Sequence, residues 1–270
     1  MKNLLIYINP TKAWDDEGKT LIKIQIDNSY DLGWKKQDLV LVTNFPYHYN
    51  GVKSLVVDDE NFCEIAPQST KTKTIVSLIK NNCLDKNSLH WVHDIDAYQL
   101  ATITEEELEM GNFDMALTDY GRMPKWTTGS IFFKTSALDI FEKVMSLIYE
   151  YKTDEENALM ALTTNNLRWA MTLGSLVSLH DPIPTELNLA DTINQRVKKI
   201  NVSYNFTYMN IRSTYKLATK PLRVAHFHPV DESINGKPNM LDFFLRGKNK
   251  IGAQLLPERM VKIFNKHGIY

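Results

Sequence analysis

Four short runs near the start of the chain limit what it can fold into. They are Leu4–Ile8 (LLIYI), Asp38–Asn44 (DLVLVTN), Gly51–Val57 (GVKSLVV) and the stretch SLHWVHDID that ends at Asp96. Each reads as a strand, and together they are too apolar for a sheet with one face in water. Between them lie helical patterns. Residues 18–32 read as a helix ending at Gly33, although the alternation of Ile22, Ile24 and Ile26 would also suit a strand. TKTIVSLIKNN reads as an amphipathic helix ending near Asn81 or Asn82. The order βαββαβ, with buried strands, predicts an α/β protein with a parallel sheet covered on both faces.

The rest of the chain continues the pattern. Thr104–Glu107 is a capping-box signature, DMALTDY and GSIFFK read as strands, and Leu138–Tyr151 is the strongest helix, with Phe141, Val144, Ile148 and Tyr151 on one face. Thr153–Glu156 repeats the capping box before NALMAL, and RVAHFHP reads as a late strand. PNMLDFFLRG and LPERMVKIFNKHG read as closing helices, the second with Pro257 near its start and Gly268 beyond its end. No apolar run is long enough to span a bilayer. The 2 cysteines, Cys63 and Cys83, show no metal-knuckle spacing, which predicts a reducing, cytoplasmic location.

A chemical question arises where the fourth strand runs into Asp94 and Asp96. Two acids two residues apart can form a solvated turn, a proton-sharing pair or a metal site. On a helix, positions i and i+2 point away from each other; on a strand they share a face. Two carboxylates converging at a strand end repel, and one must protonate unless a cation sits between them. Oxygen ligands of this kind suit Mn²⁺ or Mg²⁺, which completes its shell with water and phosphate. Open α/β sheets bind ligands beyond the carboxyl ends of their strands, where this pair lies. His93 alternates away from the pair and is expected on the opposite side.

A strand-borne D-x-D after a βαββαβ half resembles the GT-A glycosyltransferases, whose D-x-D binds the metal that holds a nucleotide-sugar diphosphate. KWTTGSIFFK resembles the family's strand after a small-residue turn, with Trp126 and Gly129 approaching the sugar or acceptor. TDEENAL resembles the acidic motif that opens a helix facing the acceptor. HFHPVDESINGKP resembles the C-terminal His and Gly-Lys-Pro elements that complete the metal and diphosphate site. The resemblance implies a Rossmann-like GT-A fold with a mostly parallel central sheet flanked by helices. Residues 1–240 would form the catalytic domain, and 241–270 a basic helical extension packed on it. The partners implied are a nucleotide-diphosphate sugar and a hydroxyl acceptor on a glycan, lipid carrier, protein or modified nucleic acid.

The remaining site residues follow position by position. Asp154, Glu155 and Glu156 fall in the first turn of a helix, where the dipole favours acids. Glu156 fits the capping box, which leaves Asp154 and Glu155 as catalytic candidates. His226 and His228 share one strand face, and Pro229 puts His228 at the rim. His228 is therefore the expected third metal ligand and His226 a donor contact. Lys237 would neutralise the leaving diphosphate. Asn9, Thr43 and Asn44, at the first two strand ends, are expected at the nucleoside, and Asp119 and Arg122 at the sugar or acceptor. No P-loop, dinucleotide fingerprint, nucleophile elbow or zincin motif occurs.

Charge leaves another reading open. Net charge is −1, but residues 196–270 hold 14 Lys and Arg against 4 Asp and Glu. Such a basic quarter either packs on the acidic body or faces an anion. Interleaved with Tyr204, Phe206, Tyr208 and Tyr215, it would suit a non-catalytic nucleic-acid-binding protein. A nucleotidyltransferase would use the same acidic strand end, but NPTKAWDDEGK is poor in the Gly, Arg and Lys such an enzyme carries after its first strand.

Overall fold

The computed structural model describes residues 1–120, 126–163, 193–207, 210, 215–228 and 256–269. Its first strand, β1 (Lys2–Tyr7), is covered on both faces. Leu4 packs with Val42, Ile75, Leu78 and Val92, while its neighbour Leu5 packs with Ile22, Ile26, Leu39 and Leu41. Alternation along a strand sends these neighbours to opposite faces, which is why β1 is an unbroken apolar run. Each such side chain taken fully out of water contributes about 1.5–3 kcal/mol.

The helix α1 (Asp16–Asp31) follows, with Asp15 Oδ1 accepting from Gly18 N at 2.5 Å. Its isoleucine alternation has a physical reason. Ile22 and Ile26 face the sheet, and Ile24 joins a second apolar cluster with Met260 and Phe264 of the C-terminal helix. Strand β2 (Leu39–Thr43) comes next. The expected strand over Gly51–Val57 is divided in two. β3 (His48–Tyr49) and β4 (Val52–Lys53) form a hairpin, and β5 (Leu55–Val56) alone joins the main sheet. The break lies at Asn50-Gly51, where φ is +46° and +81°, the pair favoured by a tight two-residue hairpin turn.

After α2 (Thr70–Lys80) the chain forms β6 (His90–His93), β7 (Ala97–Gln99), the short helix α3 (Glu105–Leu108), β8 (Met115–Asp119) and β9 (Trp126–Phe133). Then come α4 (Leu138–Tyr151), α5 (Glu155–Thr163), β10 (Val197–Lys199), β11 (Phe206–Thr207), β12 (Val224–His226) and α6 (Glu258–Lys266). The main sheet has 7 strands in the order β10-β8-β9-β6-β1-β2-β5. It is parallel except for β9, which runs antiparallel to both its neighbours. The chain moves from β1 outward to β2 and β5, then returns to place β6 on the other side of β1. The gap between the β1 and β6 carboxyl ends is therefore the topological switch point, where open α/β sheets hold ligands. A second sheet of 3 strands, β11-β12-β7, lies beside it.

Several of the described cations in the basic C-terminal quarter pair with the acidic body. Lys266 and His267 reach Asp27 at 2.7 and 2.8 Å, Arg259 reaches Asp31 at 3.2 Å, Arg223 reaches Glu107 at 2.6 Å, and Arg196 reaches Asp114 and Asp139 at 2.5 and 2.7 Å. These pairs hold β10, β12 and α6 to the rest of the molecule and leave those cations little capacity for a polyanion. Among the described residues no helix is long and apolar enough to cross a membrane. The expected helix at PNMLDFFLRG lies outside the described residues.

Candidate active site

A cavity of about 350 Å³ opens at the switch point. Tyr7 and Ile8 close one side, the start of α1 (Asp15, Glu17, Gly18) a second, and the start of α2 (Thr70, Lys71) a third. His93, Asp94, Ile95 and Asp96 line the β6 side, and His228 lies at the edge.

Asp94 and Asp96 are not on a regular strand. β6 stops at His93, and Ala97 N donates to Asp94 O at 2.9 Å, closing a tight turn into β7. The turn still brings both carboxylates to one point, because β12 pairs antiparallel with β7 and sets His226 opposite Ala97. His226 Nε2 lies 3.2 Å from Asp96 Oδ1 and 3.7 Å from Asp94 Oδ2. Among the described residues these three form the one cluster of metal-capable side chains, with ligand atoms within 4.8 Å of one another. Burial alone would lower the His226 pKa, but Asp96 and Asp94 outweigh it and hold it well above its ordinary value. Burial works the other way on Asp96, yet His226 and then His228 keep its carboxyl depressed. The repulsion between the two acids is thus met by an adjacent positive charge. His93, by contrast, turns to Asn3 at 3.1 Å, and burial lowers its pKa to about 4.

The expected metal ligand His228 reaches Glu17 Oε1 instead, at 3.1 Å. β12 ends at His226, so only His226 is on the strand and beside the acidic turn, and His228 lies beyond it. The histidine that stands beside the two acids is thus His226, not His228.

A second carboxylate group stands behind the first. Lys71 Nζ lies 2.6 Å from Asp94 Oδ1 and 3.5 Å from Glu155 Oε1, and its side chain is 8% exposed. Despite the cost of burial its pKa is raised, chiefly by Asp94 and Glu155. Glu155 also accepts from Thr128 Oγ1 at 3.0 Å and from Ser69 Oγ. Glu156 accepts from Tyr120 OH at 2.9 Å and from Thr128 N at 3.3 Å. The capping role falls on Asp154, whose Oδ1 accepts from Asn157 N at 2.8 Å. The box expected over Thr153–Glu156 is thus shifted by one residue. Asp154 is occupied at the helix end, while Glu155 and Glu156 are turned inward. Lys71, Ser69 and Thr128 did not figure in the sequence reading. A lysine at the start of the stripe Lys71, Ile75, Leu78, Ile79 was the available signal of a buried, paired cation.

Other residues expected at the site make contacts within the protein. Asn9 N donates to Asn44 Oδ1 at 3.0 Å, and Asn44 Nδ2 donates to Asn9 O and Asp59 Oδ1, both at 2.8 Å. Thr43 Oγ1 donates to Phe45 O. These side chains knit the ends of β1 and β2 together and do not line the cavity. Trp126 packs in the core and donates to Thr163 Oγ1 at 2.6 Å. Asp119 pairs with Lys199 at the far side of β8. Gly129 O accepts from Asp94 N at 3.0 Å. Arg122 and Lys237 lie outside the described residues.

No protein-family model matches the chain, and no curated protein matches it in sequence. Solved structures do match in shape. An active-site mutant of LgtC aligns at TM-score 0.54 and 11% identity, over 98% of this chain and 96% of that one. The galactosyltransferase LgtC in complex with donor and acceptor sugar analogs aligns at 0.53 and 11%, over 97% and 100%. The glycosyltransferase GlyE of Streptococcus pneumoniae TIGR4 aligns at 0.52 and 11%, over 98% of this chain and 63% of its own length. At such identities the likeness is one of architecture: the chain has the GT-A glycosyltransferase fold.

Proposed function

We propose that this protein transfers a sugar from a nucleotide-diphosphate donor to a hydroxyl acceptor, using Mn²⁺ or Mg²⁺ held by Asp94, Asp96 and His226. The observation that carries the reading is the convergence of these three side chains on one point, two of them, Asp94 and Asp96, lining the cavity at the switch point. The donor set fits such an ion: two carboxylates supply hard oxygens, and the imidazole presents Nε2 toward the same point. When bound there, a divalent cation supplies Lewis-acid stabilisation of the negative charge on a departing diphosphate.

The chain's own residues divide the remaining work. Lys71 adds a fixed positive charge on the cavity wall and links Asp94 to Glu155. We assign Glu155 to the reacting centre. Its carboxylate is oriented by Ser69, Thr128 and Lys71, and there it would stabilise positive charge developing on the sugar. Glu156, held by Tyr120 and Thr128, supports that arrangement from behind. His228 and Glu17, at the cavity edge, are the side chains we assign to the nucleoside side of the donor.

The test is product analysis with a panel of nucleotide sugars and Mn²⁺. Release of a nucleoside diphosphate that falls at least 100-fold in Asp96→Ala supports the proposal. Sugar transfer at the wild-type rate by Asp96→Ala would overturn it, and release of pyrophosphate would point to nucleotidyl transfer instead.

A further inference from the structure

His226 does not reach the acidic turn unaided. Its ring lies against the backbone of β9 at Gly129, the residue whose carbonyl accepts from Asp94 N. A Cβ built on Gly129 would fall inside the His226 imidazole, overlapping Nδ1 and Cε1. The φ angle at Gly129 is not in the left-handed region, so backbone freedom does not require glycine here. What requires it is the space taken by this one ring.

A second observation concerns the ring's other nitrogen. His226 Nδ1 is buried with no hydrogen-bond partner. Asn205 is fully buried, and its Oδ1 likewise has none. The two side chains flank the same spot: the Asn205 amide, through Nδ2, lies 3.0 Å from the Cβ position that the His226 ring occupies. Asn205 Nδ2 is itself held by Thr127 Oγ1 at 2.8 Å, and β11, which follows Asn205 directly, pairs with β12 so that Thr207 faces His226. Two buried polar atoms left unsatisfied on neighbouring side chains are costly, about 1–3 kcal/mol each. Histidines that bind metal through one nitrogen almost always donate from the other to an oxygen.

We propose that Gly129 and Asn205 form the seat of His226. Gly129 lets the ring lie against β9, and Asn205 Oδ1 accepts from Nδ1–H when Nε2 serves as ligand. Asn205 is then a positioning residue: it touches no substrate and acts by fixing which ring nitrogen faces Asp94 and Asp96. The inference rests on the metal role proposed for those residues, and its test separates the two.

Mn²⁺ affinity is measured by calorimetry on the wild type and on His226→Ala, Asn205→Ala, Asn205→Asp, Thr127→Val and Gly129→Ala. Asn205→Ala is expected to weaken Mn²⁺ binding about 10- to 100-fold, as removal of such an outer partner does. Asn205→Asp, which keeps an acceptor oxygen, should stay within about 3-fold of wild type. Thr127→Val removes the bond that holds the amide but leaves Oδ1, so it also guards against a purely structural effect. It should retain more affinity than Asn205→Ala. Gly129→Ala should lose at least 10-fold by displacing the ring. The ¹⁵N shifts of His226 in the presence of Zn²⁺, a diamagnetic probe, should show Nδ1 protonated in wild type and a tautomer mixture in Asn205→Ala. If His226→Ala binds Mn²⁺ like wild type, the proposed metal site fails. If His226→Ala loses binding while Asn205→Ala and Gly129→Ala keep it, the seat fails and the metal site stands.

Discussion

Replacing Lys71 with methionine tests whether the site is an electrostatic unit. Lys71 is buried between Asp94 at 2.6 Å and Glu155 at 3.5 Å. At an effective dielectric of about 20, a charge pair at the longer distance attracts by roughly 5 kcal/mol before desolvation is subtracted. Glu155 is only 2% exposed, so water cannot replace the lost cation, and Ser69 and Thr128 compensate only in part. Removing one partner of a buried pair typically costs about 3–5 kcal/mol, because the other charge stays buried. Lys71→Met should therefore lower unfolding free energy in urea by about 3 kcal/mol at pH 7.5. Glu155→Gln keeps the hydrogen bonds and removes the stranded charge. In the double variant it should recover about 1–3 kcal/mol, read as a coupling energy in a double-mutant cycle. A loss under about 1 kcal/mol for Lys71→Met, or strict additivity in the cycle, would refute the reasoning.

Two further outcomes follow from the same structure. Asp27 accepts from Lys266, His267, Tyr49 and Asn50; burial opposes ionisation, but these donors together keep its pKa below the usual value. A depressed carboxyl stabilises the fold above its unfolded pKa and loses that contribution as pH falls through the folded one. Asp27→Asn should thus be less stable than wild type near pH 7 but show a flatter decline in melting temperature from pH 5 to pH 3. Asp154→Ala should cost about 1 kcal/mol by loss of the α5 cap while leaving Mn²⁺ affinity unchanged in calorimetry, whereas a loss of metal binding would return Asp154 to the site.

The sheet was legible because β1, β2 and β6 are buried on both faces, and burial on both faces leaves an apolar run in the sequence. Leu138–Tyr151 was legible to the residue for the complementary reason: one face of α4 is buried and the other is wet. The Gly51–Val57 run misled because its apolar residues outweighed the Asn50-Gly51 turn beside it, although that dipeptide is a strong hairpin signal. The capping box misled because Thr153 and Asp154 are both good caps one residue apart, and only tertiary packing shows Thr153 buried at 5%. Choosing between His226 and His228 was beyond the sequence. Alternation along a strand would put both on one face, and the pairing of His226 with Ala97, 129 residues away in the chain, decides which reaches Asp96. Lys71 was hidden by the habit of reading lysines as solvent-facing, although the stripe it opens is the apolar face of α2.

The most direct test of the metal-and-nucleotide site is a melting experiment on the wild type and on Asp96→Ala. Each protein is heated alone, with Mn²⁺, with a nucleoside diphosphate, and with both, over a panel of bases. A ligand at 100 times its Kd adds about 2.7 kcal/mol to native stability, a shift of about 5 °C or more for a chain of this size. The wild type is expected to show that shift with one nucleotide only when Mn²⁺ is present, and Asp96→Ala is expected to show none. A shift that is equally large without Mn²⁺, or that survives in Asp96→Ala, would contradict the assignment of Asp94, Asp96 and His226 as the site that joins metal to donor.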